Sequence, residues 1–166
     1  YVCDRLPDVY DKPHAIALDH EVMRVFQQLG VASAVEPWTE PFTPSEFFGV
    51  EGQLIRRRTM VEPPYPQGHT PSMVFTQPPV EGVLRARAAA HDNVHIELGV
   101  EMQSLAQDDD GVALQVRGPL DAAARTVRAR YVLGCDGASS RVRALAGIGL
   151  DDLGFDEAWL VVDVKV

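Results

Sequence analysis

The chain has 166 residues, with 24 acidic against 15 basic side chains and a formal net charge of −9 at pH 7. That length can bury one domain-sized core, and the acidic excess opposes nucleic-acid backbones and anionic lipid unless a local basic stripe compensates. The only dense basic run, Arg56-Arg57-Arg58, sits inside an apolar hairpin pattern and reads as a solvated strand face, so neither nucleic acid nor a membrane is expected as a partner. Cys3 and Cys135 are far apart and offer neither a disulfide framework nor metal-ligand spacing, which suits a reducing cytosol. No apolar run reaches membrane-spanning length and no signal segment is present. The expectation is a soluble cytoplasmic protein without a metal site.

Tyr1-Val2-Cys3-Asp4 reads as the end of a strand already under way. Val22, Val25, Phe26 and Leu29 fall at helical spacing after Asp19 and before Gly30, which predicts a helix from Asp19 to Leu29 with Asp19 as N-cap. The Pro-rich polar stretch Ala34 to Ser45 reads as loop. Glu46 to Val50 and Gln53 to Met60 flank the turn dipeptide Glu51-Gly52 and predict a hairpin. Five Pro and Gly residues between Pro63 and Pro71 predict a long connection before the short run Met73-Val74-Phe75. A second helix is expected from Pro78 to Ala90, since Val80, Val83, Leu84 and Ala88 share a face and Pro is tolerated in a first turn.

Three alternating strands follow, Val94 through Ala106, Val112 to Arg117 and Thr126 to Val132. Asp108-Asp109-Asp110-Gly111 reads as a tight turn; a calcium loop would need a later bidentate Glu that is missing. A strand over Tyr131 to Cys135 then delivers Asp136-Gly137, a small-residue turn and a short helix from Ser140 to Leu145 carrying Arg141 and Arg143. A strand ending in Asp-Gly ahead of exposed helix N–H groups and arginines suits a phosphate-bearing ligand. A last strand is expected over Trp159 to Val166. The alternation of helices with buried and hairpin strands makes the fold class α/β of the mixed, α+β kind. His20, His69, His91 and His95 show no metal spacing and no paired nucleophile.

The segment Asp136-Gly137-Ala138-Ser139-Ser140-Arg141-Val142-Arg143 resembles the Asp-Gly motif of the single-component FAD-dependent aromatic hydroxylases, a flavoprotein monooxygenase family. Pro13-His14-Ala15 resembles that family's Pro-Arg-Ala segment, Gln77 its flavin-contacting glutamine, and Asp4 the acidic residue at the end of its second strand. The order and spacing of all four agree over essentially the whole chain. Within the family the resemblance is greatest to 3-(3-hydroxyphenyl)propionate hydroxylase-like and polyketide hydroxylase-like enzymes.

The resemblance implies cofactor-binding roles for Asp4, His14, Ala15, Gln77, Asp136, Gly137 and Arg143, and no catalytic residue in this segment. Asp4 would accept the ribose hydroxyls, Gln77 would meet a ribityl hydroxyl and a phosphate oxygen, and Arg143 would face a pyridine nucleotide or brace the motif. His14 departs from the family arginine, and a neutral imidazole weakens a phosphate contact at pH 7. The implied cofactors are FAD and NAD(P)H, and the implied reaction hydroxylates a small phenolic substrate through a flavin C4a-hydroperoxide. A halogenase or epoxidase-like oxidase of the same fold, or a non-catalytic domain, stays open.

No Gly-x-Gly-x-x-Gly turn and no later Gly-Asp motif occur in the chain. It therefore resembles an internal fragment of a Rossmann-like FAD-binding domain with an inserted β-rich portion of a substrate domain, inactive by itself. Residues 1–45 and 77–157 are expected in the FAD-binding domain, 46–76 in the substrate-domain hairpin and loop, and 158–166 at the start of the substrate-domain sheet. An uncovered sheet edge would favour self-association.

Overall fold

A computed structural model describes residues 1–12 and 14–158. The chain divides into two compact units, Tyr1–Glu101 and Met102–Val166. In the first unit, strand β1 (Val2–Asp4) runs parallel to β7 (Ile96–Leu98), with Val2 opposite Ile96 and Asp4 opposite Leu98. A second, antiparallel sheet places β6 (Ser72–Phe75) between β2 (Ala17–Asp19) and β3 (Thr39–Pro41).

Helix α1 (His20–Gln28) starts where the Asp19 carboxylate accepts the Val22 N–H at 2.9 Å and stops at Gly30, whose φ of 72° is open to glycine at no steric cost. Helix α3 (Gln77–Ala89) carries Pro78 and Pro79 in its first turn, where a missing N–H leaves no bond unmade. Met23 and Phe26 of α1, Val31, Val35 of α2 (Ala32–Val35), Met73 of β6 and Val80 of α3 form one buried cluster. Each such side chain contributes about 1.5–3 kcal/mol when fully removed from water. The Arg87 side chain donates to the Leu29 carbonyl at 2.9 Å, so α3 satisfies a carbonyl at the end of α1.

In the second unit, β8 (Glu101–Asp108), β9 (Gly111–Arg117) and β10 (Arg125–Ala129) form a meander with β9 central and Leu114 and Val116 buried. The Asp108–Gly111 segment is the turn between β8 and β9, and Arg128 donates from Nη2 alone to both oxygens of Asp108, at 3.0 and 3.1 Å. Helix α4 (Arg141–Leu145) follows.

Four expectations change. The stretch Ala34 to Ser45 is not all loop: after α2 come a 3-10 turn (Glu36–Trp38) and β3, which exists because β6 supplies a partner from more than thirty residues away. Pro41 is tolerated there because β3 is an edge strand. The run Val94 to Ala106 breaks at Gly99 (φ 71°) into β7 and β8. Tyr131 to Cys135 forms no strand, and β10 stops at Ala129: Tyr131 and Leu133 are 78% and 87% exposed, with no backbone pairing among the described residues. Alternation alone makes no strand when no neighbour bonds to it.

The hairpin β4 (Ser45–Phe48) and β5 (Leu54–Arg58) forms as expected, closed by the Gly49 N–H on the Gln53 carbonyl. Every residue of β5 is exposed, so it is solvated on both faces rather than one. The expected strand Trp159 to Val166 lies outside the described residues. No helix among them is long and apolar enough to cross a membrane.

Candidate functional site

The C-terminal end of β1 delivers Asp4 to a cavity of about 420 Å³ in the first unit, lined also by Arg5, Leu6, Tyr10, His14, Gln77, Glu81 and Arg85. The Asp4 carboxylate accepts the Leu6 N–H on Oδ1 at 2.9 Å and the Arg85 Nη2 on Oδ2 at 3.1 Å. Arg85 sits one helical turn after Glu81 on α3 and donates to it from Nη2 at 2.6 Å and from Nε at 2.9 Å. Its Nη1 is closed off from solvent and has no hydrogen-bond partner among the described residues.

Gln77 opens α3, and its Oε1 accepts two backbone N–H groups, His14 at 2.6 Å and Ala15 at 2.9 Å. The side-chain acceptor is thus committed to the chain, while the amide keeps its donors. The N–H groups of His14 and Ala15 are satisfied by the same contact, and of the two only His14 lines the cavity. The His14 imidazole stacks on Tyr10 with ring centroids 4.9 Å apart and an interplanar angle of 15°.

The second unit holds the Asp-Gly turn. Asp136 accepts the Ser140 hydroxyl, the Arg141 N–H at 2.6 Å and the Val142 N–H at 3.0 Å, which satisfies donors at the start of α4. Ser140 is buried and caps the same helix by accepting the Arg143 N–H at 3.0 Å. These bonds hold the Asp136 carboxyl below the usual carboxylate range, the Ser140 hydroxyl most strongly, with burial opposing in part. Gly137 has φ of 83°, which few side chains tolerate. Gly134 lets the chain lie against α4: a Cβ there would stand 2.8 Å from Val142 Cγ1. The Arg143 guanidinium donates from Nη1 to the Ala138 carbonyl at 2.8 Å, inside the motif.

Of the residues singled out from sequence, Asp4, His14 and Gln77 therefore meet at one cavity, with Ala15 tied to Gln77; Asp136, Gly137 and Arg143 share the turn of the other unit. Glu81 and Arg85 were missed, although their i, i+4 spacing on a helix is a readable ion-pair signal. Tyr10 carries no comparable signal. Among the described residues no group of three or more His, Cys, Asp or Glu could hold a metal ion.

The whole chain, residues 1–166, matches the model of the FAD binding domain family, and the chain belongs to that family. It is 35% identical over 93% of its length to the 3-(3-hydroxy-phenyl)propionate/3-hydroxycinnamic acid hydroxylase of Mycolicibacterium smegmatis, covering 27% of that protein. It is 34% identical over 99% of its length to a probable NADH-specific resorcinol 4-hydroxylase of Rhodococcus jostii, covering 31% of that protein. The chain thus spans less than a third of the length of these relatives. Among solved structures, the flavin-dependent monooxygenase PieE in complex with FAD and substrate superposes with a TM-score of 0.75 at 26% identity, over 90% of this chain and 28% of that one. The p-nitrophenol 4-monooxygenase PnpA from Pseudomonas putida DLL-E4 shares the fold, with a TM-score of 0.75 at 24% identity over 90% of this chain and 38% of that one.

Proposed function

We propose that the chain holds part of the flavin in an FAD- and NAD(P)H-dependent monooxygenase that hydroxylates a small phenolic substrate, with the cavity of the first unit taking the adenosine half of FAD. One observation carries this reading: Asp4, His14 and Gln77, three sequence positions matching the family's flavin contacts, line a single cavity. The donor set suits the group. Asp4 keeps acceptor capacity on each oxygen for a pair of vicinal ribose hydroxyls, and Gln77 keeps amide donors for phosphate oxygen.

Bound FAD would supply the oxygen-activating redox chemistry. The chain's own residues bind and orient: Asp4 fixes the ribose, and Gln77 holds the 14–15 backbone against the ligand. The Asp136-Gly137 turn, pinned by its three hydrogen bonds, keeps a fixed backbone approach toward a phosphate or the flavin. In the same reading residues 46–76 and 158–166 belong to the substrate-binding region, and the aromatic substrate is of the hydroxyphenylpropionate or resorcinol kind named for the relatives. The location is cytoplasmic, in keeping with two cysteines that form no disulfide.

The test is made on the natural protein in full length. The expected result is a bound flavin spectrum and NADH or NADPH oxidation stimulated by a phenol with formation of a catechol or hydroquinone. Asp4→Ala is expected to weaken FAD by about tenfold or more while leaving FMN, which has no adenosine, nearly unchanged. A protein that binds neither flavin overturns the reading.

A further inference from the structure

The two oxygens of Asp4 are each held once from within the chain, Oδ1 by the Leu6 N–H and Oδ2 by Arg85. A carboxylate free to rotate would present its lone pairs in many directions, whereas one held at both oxygens has its plane fixed and keeps acceptor capacity on each. That arrangement is the complement of a vicinal diol. Arg85 is itself pinned, because Glu81 takes both its Nε and its Nη2 from one turn back on α3. Its five N–H donors form a rigid planar fork, so fixing two of its nitrogens fixes the third. Arg85 lines the cavity, while its Nη1 is closed off from solvent and has no partner among the described residues, so the guanidinium is held on its Nε and Nη2 side.

The geometry points to Arg85 as a positioning residue that sets the plane of the Asp4 carboxylate for a ribose with both hydroxyls free, with Glu81 as its anchor; this rests on the reading of Asp4 as the ribose acceptor. Asp4 and Glu81 share the Arg85 guanidinium, and Arg5 at the same cavity balances the second carboxylate, so the selection for a hydroxyl donor rests on the acceptor capacity of Asp4 and not on net charge. The chemical class of ligand is an adenosine diphosphate group with an unmodified ribose. Arg85 touches Asp4 rather than the reacting atoms, and its effect is on recognition.

The experiment displaces FAD from the full-length protein with ADP and with 2′-deoxy-ADP, following flavin fluorescence. The wild type is expected to prefer ADP by about tenfold, the size of one charge-assisted hydrogen bond. Arg85→Met is expected to cut that preference to about twofold, and Asp4→Asn combined with Arg85→Met to lose no more than Asp4→Asn alone. Thermal unfolding checks that each variant folds. If the methionine variant does not, Arg85→Lys, which keeps the charge without the two-pronged contact, carries the same test. Retention of the full ADP preference in the folded Arg85 variant, with its loss in Asp4→Asn, overturns the inference. Failure of the wild type to bind FAD overturns the proposed function instead, and FAD binding without any ADP preference overturns the ribose role of Asp4.

Discussion

At the scale of single residues, the Asp136-Gly137 turn shows how little freedom the motif leaves. Gly137→Ala places a side chain at φ of 83° and is expected to cost about 1–2 kcal/mol, read as a lower urea midpoint. Gly134→Val adds atoms where even a Cβ would meet Val142, and a loss of about 1–3 kcal/mol is expected from overpacking. The Asp136 carboxyl titrates lower in the folded chain than in the unfolded one, first through the Ser140 hydroxyl. Its contribution to stability is therefore complete above the unfolded value of about 3.9 and is lost as pH falls through the folded value. Asp136→Ala is expected to lower the thermal midpoint at neutral pH, with the gap from wild type closing on acidification. Asp108, lowered first by Arg128, acts in the same direction, so the gap between the two proteins and not the raw curve is the measure. A gap that is constant with pH would show that the carboxylate's charge plays no part.

At the scale of elements, what the sequence made legible was whatever is local. Asp19 caps α1 and Gly30 ends it, as their positions before and after the apolar face require; Asp19→Ala is expected to cost about 1 kcal/mol, measured by chemical unfolding. The Glu51-Gly52 hairpin and the Asp108–Gly111 turn are equally local and equally visible. Strand β3 was hidden because its cause is β6, a distant segment with which Thr39, Glu40 and Pro41 pair. Tyr131 to Cys135 failed in the opposite way: it has the composition of a strand and no partner among the described residues. The candidate site divides along the same line. Asp4, His14 and Gln77 were found through a resemblance of ordered motifs, whereas the hydrogen bonds that define what each atom has left to offer could only be seen once the chain was folded.

At the scale of the whole molecule, the chain spans 27% and 31% of the hydroxylases named above, and large apolar side chains stand in the open on its surface. Tyr131, Leu133, Leu153 and Phe155 are each more than three-quarters exposed. The 166-residue chain studied alone is expected to associate with further copies of itself as concentration rises, visible as a growing mass in light scattering, and to hold less than one FAD per chain. A strictly monomeric chain at high concentration would show that these side chains do not drive association.

The single amide of Gln77 has a wider consequence. It joins its own position to a backbone 63 residues earlier, so the wall of the cavity is completed only after the intervening chain has found its place. Ligand capture then depends on the folded arrangement of both segments: whatever binds there should raise the midpoint with ligand concentration. Gln77→Glu separates the wall contact from ligand binding, since a carboxylate still accepts both N–H groups but brings negative charge to a phosphate. Its unfolding without ligand should match wild type, and the ligand's protection should vanish.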